Sequence, residues 1–211
     1  MLNSNNLSEL GPLQLDALKE VASIGAGNAA TSLSAMLNSK IKMTVPNVNL
    51  TPISDLPDII GNAEQLIAAM LVRTEGDIDG GVLFTLVPES ANLLVQLLVG
   101  QEVDIENDLG ELEASALKEI SNILTGSNLN AFSQMLELTI SPSVPSLEFD
   151  MAGAILEVCF IELGQIGDYA LVIETEFLSD MEDEIKGNFF IIPDPESLQF
   201  MLDRLGVAGE E

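Results

Sequence analysis

Histidine is absent from this 211-residue sequence, and cysteine occurs once. Without histidine the chain cannot form a Ser–His catalytic triad, a histidine-ligated zinc site or a histidine general base. The single cysteine, Cys159, excludes an intramolecular disulfide bond. Because it lies in an apolar run, we expect it to be buried and chemically inert.

Basic residues and long apolar runs are also scarce. Lys and Arg total 7 against 34 Asp and Glu, which gives a formal net charge of −27. Such a surface repels phosphate groups, so binding to nucleic acid or to anionic membranes is disfavoured; the acidity could instead attract basic partners or maintain solubility. No apolar run is long enough to span a membrane, and residues 1–10 do not have the pattern of a signal peptide. We therefore expect a cytoplasmic protein without membrane insertion.

The pattern of apolar residues indicates an α+β fold. Hydrophobic residues make up 47% of the chain and its mean hydropathy is +0.33, so we expect a folded core. Helical spacing predicts two long helices, near 13–38 and 109–137, and Pro88 and Pro193 open two shorter ones. Apolar runs predict about six strands, including one over 152–163. Since the strands adjoin through hairpins, we expect a mainly antiparallel sheet with the helices packed on it.

A row of polar side chains marks the second long helix. Ser115, Glu119 and Asn122 are four and three residues apart, which places them on one helix face. Pro145 follows Asn122 after twenty-two intervening residues. The apolar residues nearby point elsewhere and are expected to be buried: Leu112, Leu117, Ile120 and Leu124.

The same arrangement occurs earlier in the chain. Asp16, Glu20 and Ser23 repeat the spacing, and Pro46 follows Ser23 after the same twenty-two residues. Each of these four positions lies 99 residues before its counterpart. The constant offset indicates an internal duplication. Serine at position 23 stands where the second copy has asparagine.

The duplication extends to both whole halves of the chain, because Pro88 and Pro193 open corresponding helices. We expect one domain over residues 1–211, with a first half-repeat at 13–100 and a second at 109–206.

The motif resembles the signature of the CheC/CheX/FliY family of phosphatases. That signature is an acidic residue or Ser, three residues, Glu, two residues, Asn, and a proline after twenty-two more. The family acts on phosphorylated CheY, the response regulator of bacterial and archaeal chemotaxis. One copy would be a weak signal, but two copies with matched prolines are a strong one. The resemblance extends over about 13–206 and includes the segment 24–31. It implies a pseudo-two-fold duplicated domain with both motif helices exposed. By analogy with dimeric members of the family, it also implies a monomer that contains both copies of the motif.

The second copy has the residues that this chemistry requires. Hydrolysis of an acyl phosphate needs a water in line with the phosphorus–oxygen bond, and the loose transition state depends mainly on positioning. Asn122 suits that role because a carboxamide can accept a hydrogen bond from water without adding negative charge. The resemblance implies that Glu119 pairs with the active-site lysine of CheY. It also implies that magnesium belongs to CheY and that this chain has no cofactor or metal of its own.

The first copy is expected to be degenerate. Ser23 is shorter than asparagine and lacks the two ends of an amide, so we expect poor catalysis there, while Glu20 still docks. Asp16 and Ser115 are expected to support the two polar rows.

Other interpretations remain open. The family resemblance also implies an adaptor that binds and regulates the receptor deamidase CheD, with little phosphatase activity. A FliY-like switch component is less favoured because the chain ends soon after its second half. The polar rows could be mere solvated helix faces, but the duplication argues against this. Residues 25–30 match a G-x-G-x-x-A dinucleotide fingerprint, which we reject because the preceding residues are themselves helical.

Overall fold

The chain alternates helices with antiparallel strands. The computed structural model describes residues 11–100, 103–105, 107, 109–164, 168–178 and 184–204. The ends of the predicted 1–211 domain, and the last two residues of the predicted second half-repeat, lie outside these residues. None of the described helices is both long and apolar enough to cross a membrane.

Six α-helices and eight strands are present in the described residues. The helices are α1 (Pro12–Leu37), α2 (Leu56–Ile60), α3 (Pro88–Val99), α4 (Glu111–Leu136), α5 (Ala152–Leu163) and α6 (Pro195–Arg204). The strands are β1 (Lys42–Thr44), β2 (Val48–Pro52), β3 (Leu66–Gly76), β4 (Gly80–Leu86), β5 (Ile140–Pro142), β6 (Ser146–Met151), β7 (Tyr169–Leu178) and β8 (Glu184–Pro193). A short 3-10 helix, Ile53–Asp55, precedes α2.

The strands form one antiparallel sheet in the order β1-β7-β8-β4-β3-β5. At its centre β4 pairs with β8, where Phe84 lies opposite Phe189. Strands β1 and β2 both pair with β7, and β5 and β6 both pair with β3. Each long hairpin is thus extended by two short strands from the other half of the chain. The predicted α+β fold with a mainly antiparallel sheet is confirmed.

The sheet separates two apolar cores. Because side chains alternate along a strand, Met70 and Val72 face one core while Ala69 and Leu71 face the other. The first core is covered by α1, α3, α4 and α6, and the second by α2 and α5. Both motif helices therefore lie on the same side of the sheet.

The predicted strand over 152–163 is wrong, because this segment is helix α5. Its buried residues recur at helical spacing, with Ala152, Ile155, Leu156 and Cys159 facing the second core. A nearly continuous apolar run fits either structure, so periodicity alone did not decide between them. The four predicted helices become six with α2 and α5, and α6 begins at Pro195 because Pro193 still belongs to β8.

The two proline-containing strands are each interrupted. Pro46 lies between β1 and β2, and Pro145 lies between β5 and β6. Proline has no N–H to donate to the ladder, so the strand pairing stops at this position and resumes beyond it. If each interrupted strand is counted once, the sheet has six strands, and the two breaks make them eight.

Candidate active site

The two polar motifs lie on the two longest helices, α1 and α4. Each helix has 26 residues, and α4 begins and ends 99 positions after α1. Every buried residue of α1 has a buried counterpart 99 positions later in α4. The same offset joins their left-handed C-caps, Asn38 (φ 46°) and Glu137 (φ 53°). The two helices therefore present equivalent faces to the core and to the solvent.

Local sequence signals start both helices. Gly11 and Gly110 are extended N-cap residues. The N–H of Gly11 donates to Gln14 Oε1 at 2.7 Å. In α4, Glu111 and Glu113 place negative charge in the first turn, where the helix dipole favours it.

All six motif side chains on these helices are exposed. The first row consists of Asp16, Glu20 and Ser23, and the second of Ser115, Glu119 and Asn122. In each row the side chains follow one another along a single helix face, as the spacing predicts.

Hydrogen bonding distinguishes Ser23 from Asn122, the last side chains of the two rows. Ser23 Oγ donates to the carbonyl oxygen of Lys19 at 2.7 Å, and Ser115 Oγ donates to that of Glu111 at 2.7 Å. Both hydroxyl protons are therefore used within their own helices. The amide of Asn122 has no hydrogen-bond partner in the described part of the chain, so its donor and acceptor ends can both serve an external group.

The motif prolines lie beside the motif helices. Helix α1 packs on β1 and β2, and α4 packs on β5 and β6. In the first copy Lys19, the residue before Glu20, donates a hydrogen bond from Nζ to the carbonyl oxygen of Pro46 at 2.6 Å. Pro145, its counterpart, is buried. In the first copy the break between the two short strands therefore lies next to the polar row.

The motif helices also pack against each other. A Cβ atom added to Gly25 would lie 2.6 Å from Asn128 Oδ1 and 2.9 Å from its Cα. Asn128 is itself held by a hydrogen bond from Nδ2 to the carbonyl oxygen of Leu124 at 2.9 Å. Gly25 therefore permits a close approach of α1 and α4. The segment 25–30 lies inside the uninterrupted helix α1, without the preceding strand that a dinucleotide-binding turn requires.

Cys159 lies in α5, on the opposite side of the sheet from the motif helices. It is buried, as predicted. Burial, with a smaller contribution from the negative charges of Glu162 and Glu148, raises the pKa of its thiol to about 12. The protonated thiol is a poor nucleophile at neutral pH.

Metal ligands do not converge in the described residues, where no group of three Cys, Asp or Glu side chains could hold an ion.

A shallow cavity of about 390 Å³ lies beside the second motif. Its lining consists of Leu98, Val99, Leu112, Ser115, Ala116 and Glu119.

Three features near the motifs were missed from the sequence. Leu112 is 57% exposed, contrary to the expectation that it is buried, and its counterpart Leu13 is 71% exposed. Lys19 contacts a motif proline. The sequence contains a signal for the two leucines: Leu112 precedes Ser115 and Glu119 by three and seven residues, which places it on the polar face, and the 99-residue offset makes Leu13 its counterpart.

Known proteins are similar to this chain. The model of the CheC-like family matches residues 13–50 and 112–148, two segments whose starts are 99 positions apart (112 − 13). The chain is 38% identical over 199 residues to the CheY-P phosphatase CheC of Bacillus subtilis (strain 168). This match covers 92% of the chain and 95% of the relative. The chain belongs to the CheC-like family.

Solved structures related to this CheC-like chain share its fold. Thermotoga maritima FliY superposes with a TM-score of 0.76 at 23% identity, covering 95% of this chain and 99% of that one. CheX from Borrelia burgdorferi, solved in a complex with CheY, BeF3 and Mg²⁺, gives a TM-score of 0.50 at 19% identity. That match covers 80% of this chain and 95% of the other. At such identities the likeness establishes the fold.

Proposed function

We propose that this protein is a phosphatase that hydrolyses the aspartyl phosphate of the chemotaxis response regulator CheY. The observation that carries the proposal is the exposed pair Glu119 and Asn122, one turn apart on a helix anchored by its buried face. The Bacillus subtilis relative is named for this activity. The CheX of similar fold was crystallised with CheY bearing BeF3 and Mg²⁺.

Asn122 is the proposed catalytic residue. Its free amide accepts a hydrogen bond from the attacking water and holds that water in line with the phosphorus–oxygen bond. The water oxygen bonds to phosphorus, the bond to the aspartyl oxygen breaks, and inorganic phosphate and a free carboxylate result. The neutral amide brings no charge that would repel the anionic phosphoryl group.

Glu119 is proposed to dock the partner. Its exposed carboxylate can pair with a cation beside the acyl phosphate, such as the active-site lysine of CheY. In this proposal Mg²⁺ arrives with CheY, and this chain contributes positioning.

The first motif is proposed to be a weak copy. The hydroxyl of Ser23 already donates to its own helix and does not reach as far as an amide. Glu20 keeps its exposed carboxylate and is proposed to retain docking.

We also propose that the chain is one domain of two half-repeats, 13–100 and 109–206. The reciprocal strand pairing supports this division, because β1 and β2 pair with β7 while β5 and β6 pair with β3. The protein is proposed to act in the cytoplasm as a monomer.

The decay of acyl-phosphorylated CheY tests this function. CheY is phosphorylated with a small phosphodonor in the presence of Mg²⁺, and its decay is followed with wild type, Asn122→Ala and Ser23→Ala. We expect wild type to accelerate the decay and Asn122→Ala to reduce that acceleration on the order of a hundredfold, because the water loses its positioning. Ser23→Ala should behave like wild type. Acceleration that survives Asn122→Ala would contradict the assignment.

We propose the adaptor role, binding of the deamidase CheD, as a second function, and helix α5 supports it. This helix has twelve residues, whereas α2 on the same side of the sheet has five. It leaves Val158 49% and Ile161 74% exposed. These side chains form an apolar surface remote from the motif helices, of the kind that marks a protein-binding site.

Size-exclusion chromatography with purified CheD tests this second function. We expect a complex with wild type and none with Ile161→Asp, because a carboxylate would be buried in an apolar interface. The exposed Glu157→Gln variant on the same helix is the control and should still bind. If Ile161→Asp forms the complex normally, α5 is not the CheD surface.

A further inference from the structure

Leu112 extends the second motif by one more turn. Leu112, Ser115, Glu119 and Asn122 occupy positions i, i+3, i+7 and i+10 of α4, so they lie along one strip of its surface. More than half of the leucine side chain is exposed. An apolar group therefore continues the row that carries the proposed catalytic residues.

Helix α3 turns this strip into a cavity. The last residues of α3, Leu98 and Val99, line one side, and Leu112 and Ala116 of α4 line the other. Helix α3 ends there because Gly100 adopts a left-handed conformation (φ 76°), which stops the helix beside α4. The cavity is large enough, at about 390 Å³, to accept an apolar side chain from another protein.

The apolar cavity has one acidic lining residue. This residue is Glu119, whose side chain is exposed. A partner that fits both features presents an apolar side chain next to a basic group. An isolated apolar ligand, or a second copy of this strongly acidic chain, would leave the carboxylate of Glu119 unmatched.

We propose that this cavity is the apolar half of the docking site for phosphorylated CheY. Leu112 packs on an apolar side chain of CheY that lies beside the cation bound by Glu119. This inference rests on the proposed function, because it takes CheY as the partner of the second motif. Leu112 is a docking residue in this scheme, and Asn122 alone positions the water.

The duplication supplies a matched control. Leu13 occupies the same position in the first copy and is also exposed, but the row that follows it ends in Ser23. Leu112→Ala and Leu13→Ala make the same change at equivalent helix positions without altering charge. Any general effect on solubility or helix stability should therefore appear in both variants.

Steady-state dephosphorylation measures the two effects separately. We expect Leu112→Ala to raise the KM for phosphorylated CheY about tenfold, the loss typical of a buried interface anchor, with kcat nearly unchanged. Leu13→Ala should leave both constants unchanged. An unchanged KM in Leu112→Ala, or an equal rise in Leu13→Ala, would overturn the proposal.

A binding measurement keeps the test independent of catalysis. The Kd for CheY bearing BeF3 and Mg²⁺ is measured for wild type and Leu112→Ala, and we expect it to rise about tenfold as well. If wild type accelerates no decay, the proposed activity fails, and this Kd alone decides the docking surface. An unchanged Kd would overturn the surface even if the phosphatase activity is found.

Discussion

The two motifs differ at the position that would hold the water. Ser23 and Asn122 are both exposed at the end of a polar row, but the serine hydroxyl donates to the carbonyl oxygen of Lys19, whereas the asparagine amide has no partner in the described residues. An amide can accept from a water and donate elsewhere at the same time. The catalytic difference proposed between the copies therefore depends on one side chain, and not on the helix that presents it.

A substitution in the first copy tests this interpretation. In an Asn122→Ala background, Ser23→Asn should restore measurable dephosphorylation of CheY, because it places a free amide one turn after Glu20. The restored rate is expected to reach at most that of the wild-type second site. The decay of phosphorylated CheY is again the measurement.

The control for this rescue is Ser23→Ala in the same background, which should restore nothing because it adds no amide. If Ser23→Asn is as inactive as Ser23→Ala, the first copy lacks more than asparagine, and the remaining difference would have to lie elsewhere in its row, such as at Asp16.

Packing between α1 and α4 fixes where the two rows stand. Gly25 allows the helices to approach at Asn128, two residues beyond Ser23 and six beyond Asn122. The buried faces of both helices follow the same 99-residue offset, so the contact joins two equivalent elements. A change at this contact should affect the stability of the fold and the placement of both motifs.

Gly25→Ala is expected to destabilise the protein by about 1–3 kcal/mol, the usual cost of overpacking a close contact. Its new Cβ atom would lie 2.9 Å from the Asn128 Cα, which cannot move without shifting α4. Chemical denaturation measures the free energy of unfolding.

Gly27→Ala is the matched control for this contact. A Cβ atom there would meet nothing within 4 Å. It should stabilise the protein by about 0.5–1 kcal/mol, because alanine favours a helix over glycine. If both substitutions change the free energy of unfolding equally, helix propensity, and not the contact with Asn128, accounts for the effect at position 25.

The whole molecule carries far more negative than positive charge, with 34 Asp and Glu against 7 Lys and Arg. Its net charge is −27. The salt bridge found among the described residues joins Arg73 and Glu162 at 3.4 Å, with both side chains substantially exposed. Surface pairs of this kind contribute little, so repulsion between carboxylates acts against the compact state.

Added salt should therefore stabilise the fold. The Debye length falls from about 30 Å at 0.01 M to about 8 Å at 0.15 M ionic strength, which screens repulsion between distant carboxylates. We expect the thermal midpoint to rise with NaCl over this range. Sucrose at matched osmolarity is the control and should give a smaller shift over the same interval. A midpoint that is constant or falls with NaCl would mean that net repulsion does not limit stability.

Local patterns predicted the elements whose signal is periodic. The long helices and the duplicated motif follow from spacing along the chain alone. The segment 152–163 was wrongly predicted because a nearly continuous apolar run suits a strand or a helix, and its packing against the second core decided for the helix. Leu112 was expected to be buried because it is apolar. This expectation was wrong because apolar character does not specify which neighbours cover a side chain.

The sequence by itself determined the duplication, the residue types of both polar rows and their placement on one helix face, because these depend only on helical geometry and the 99-residue offset. Tertiary structure alone decided the rest. It placed the motif prolines beside the helices, brought Gly25 against Asn128 and set the end of α3 beside Leu112. These contacts join residues that are separated along the chain, so no local pattern specifies them. They form only in the folded molecule, in which strands β1 and β2 pair with β7 and strands β5 and β6 pair with β3.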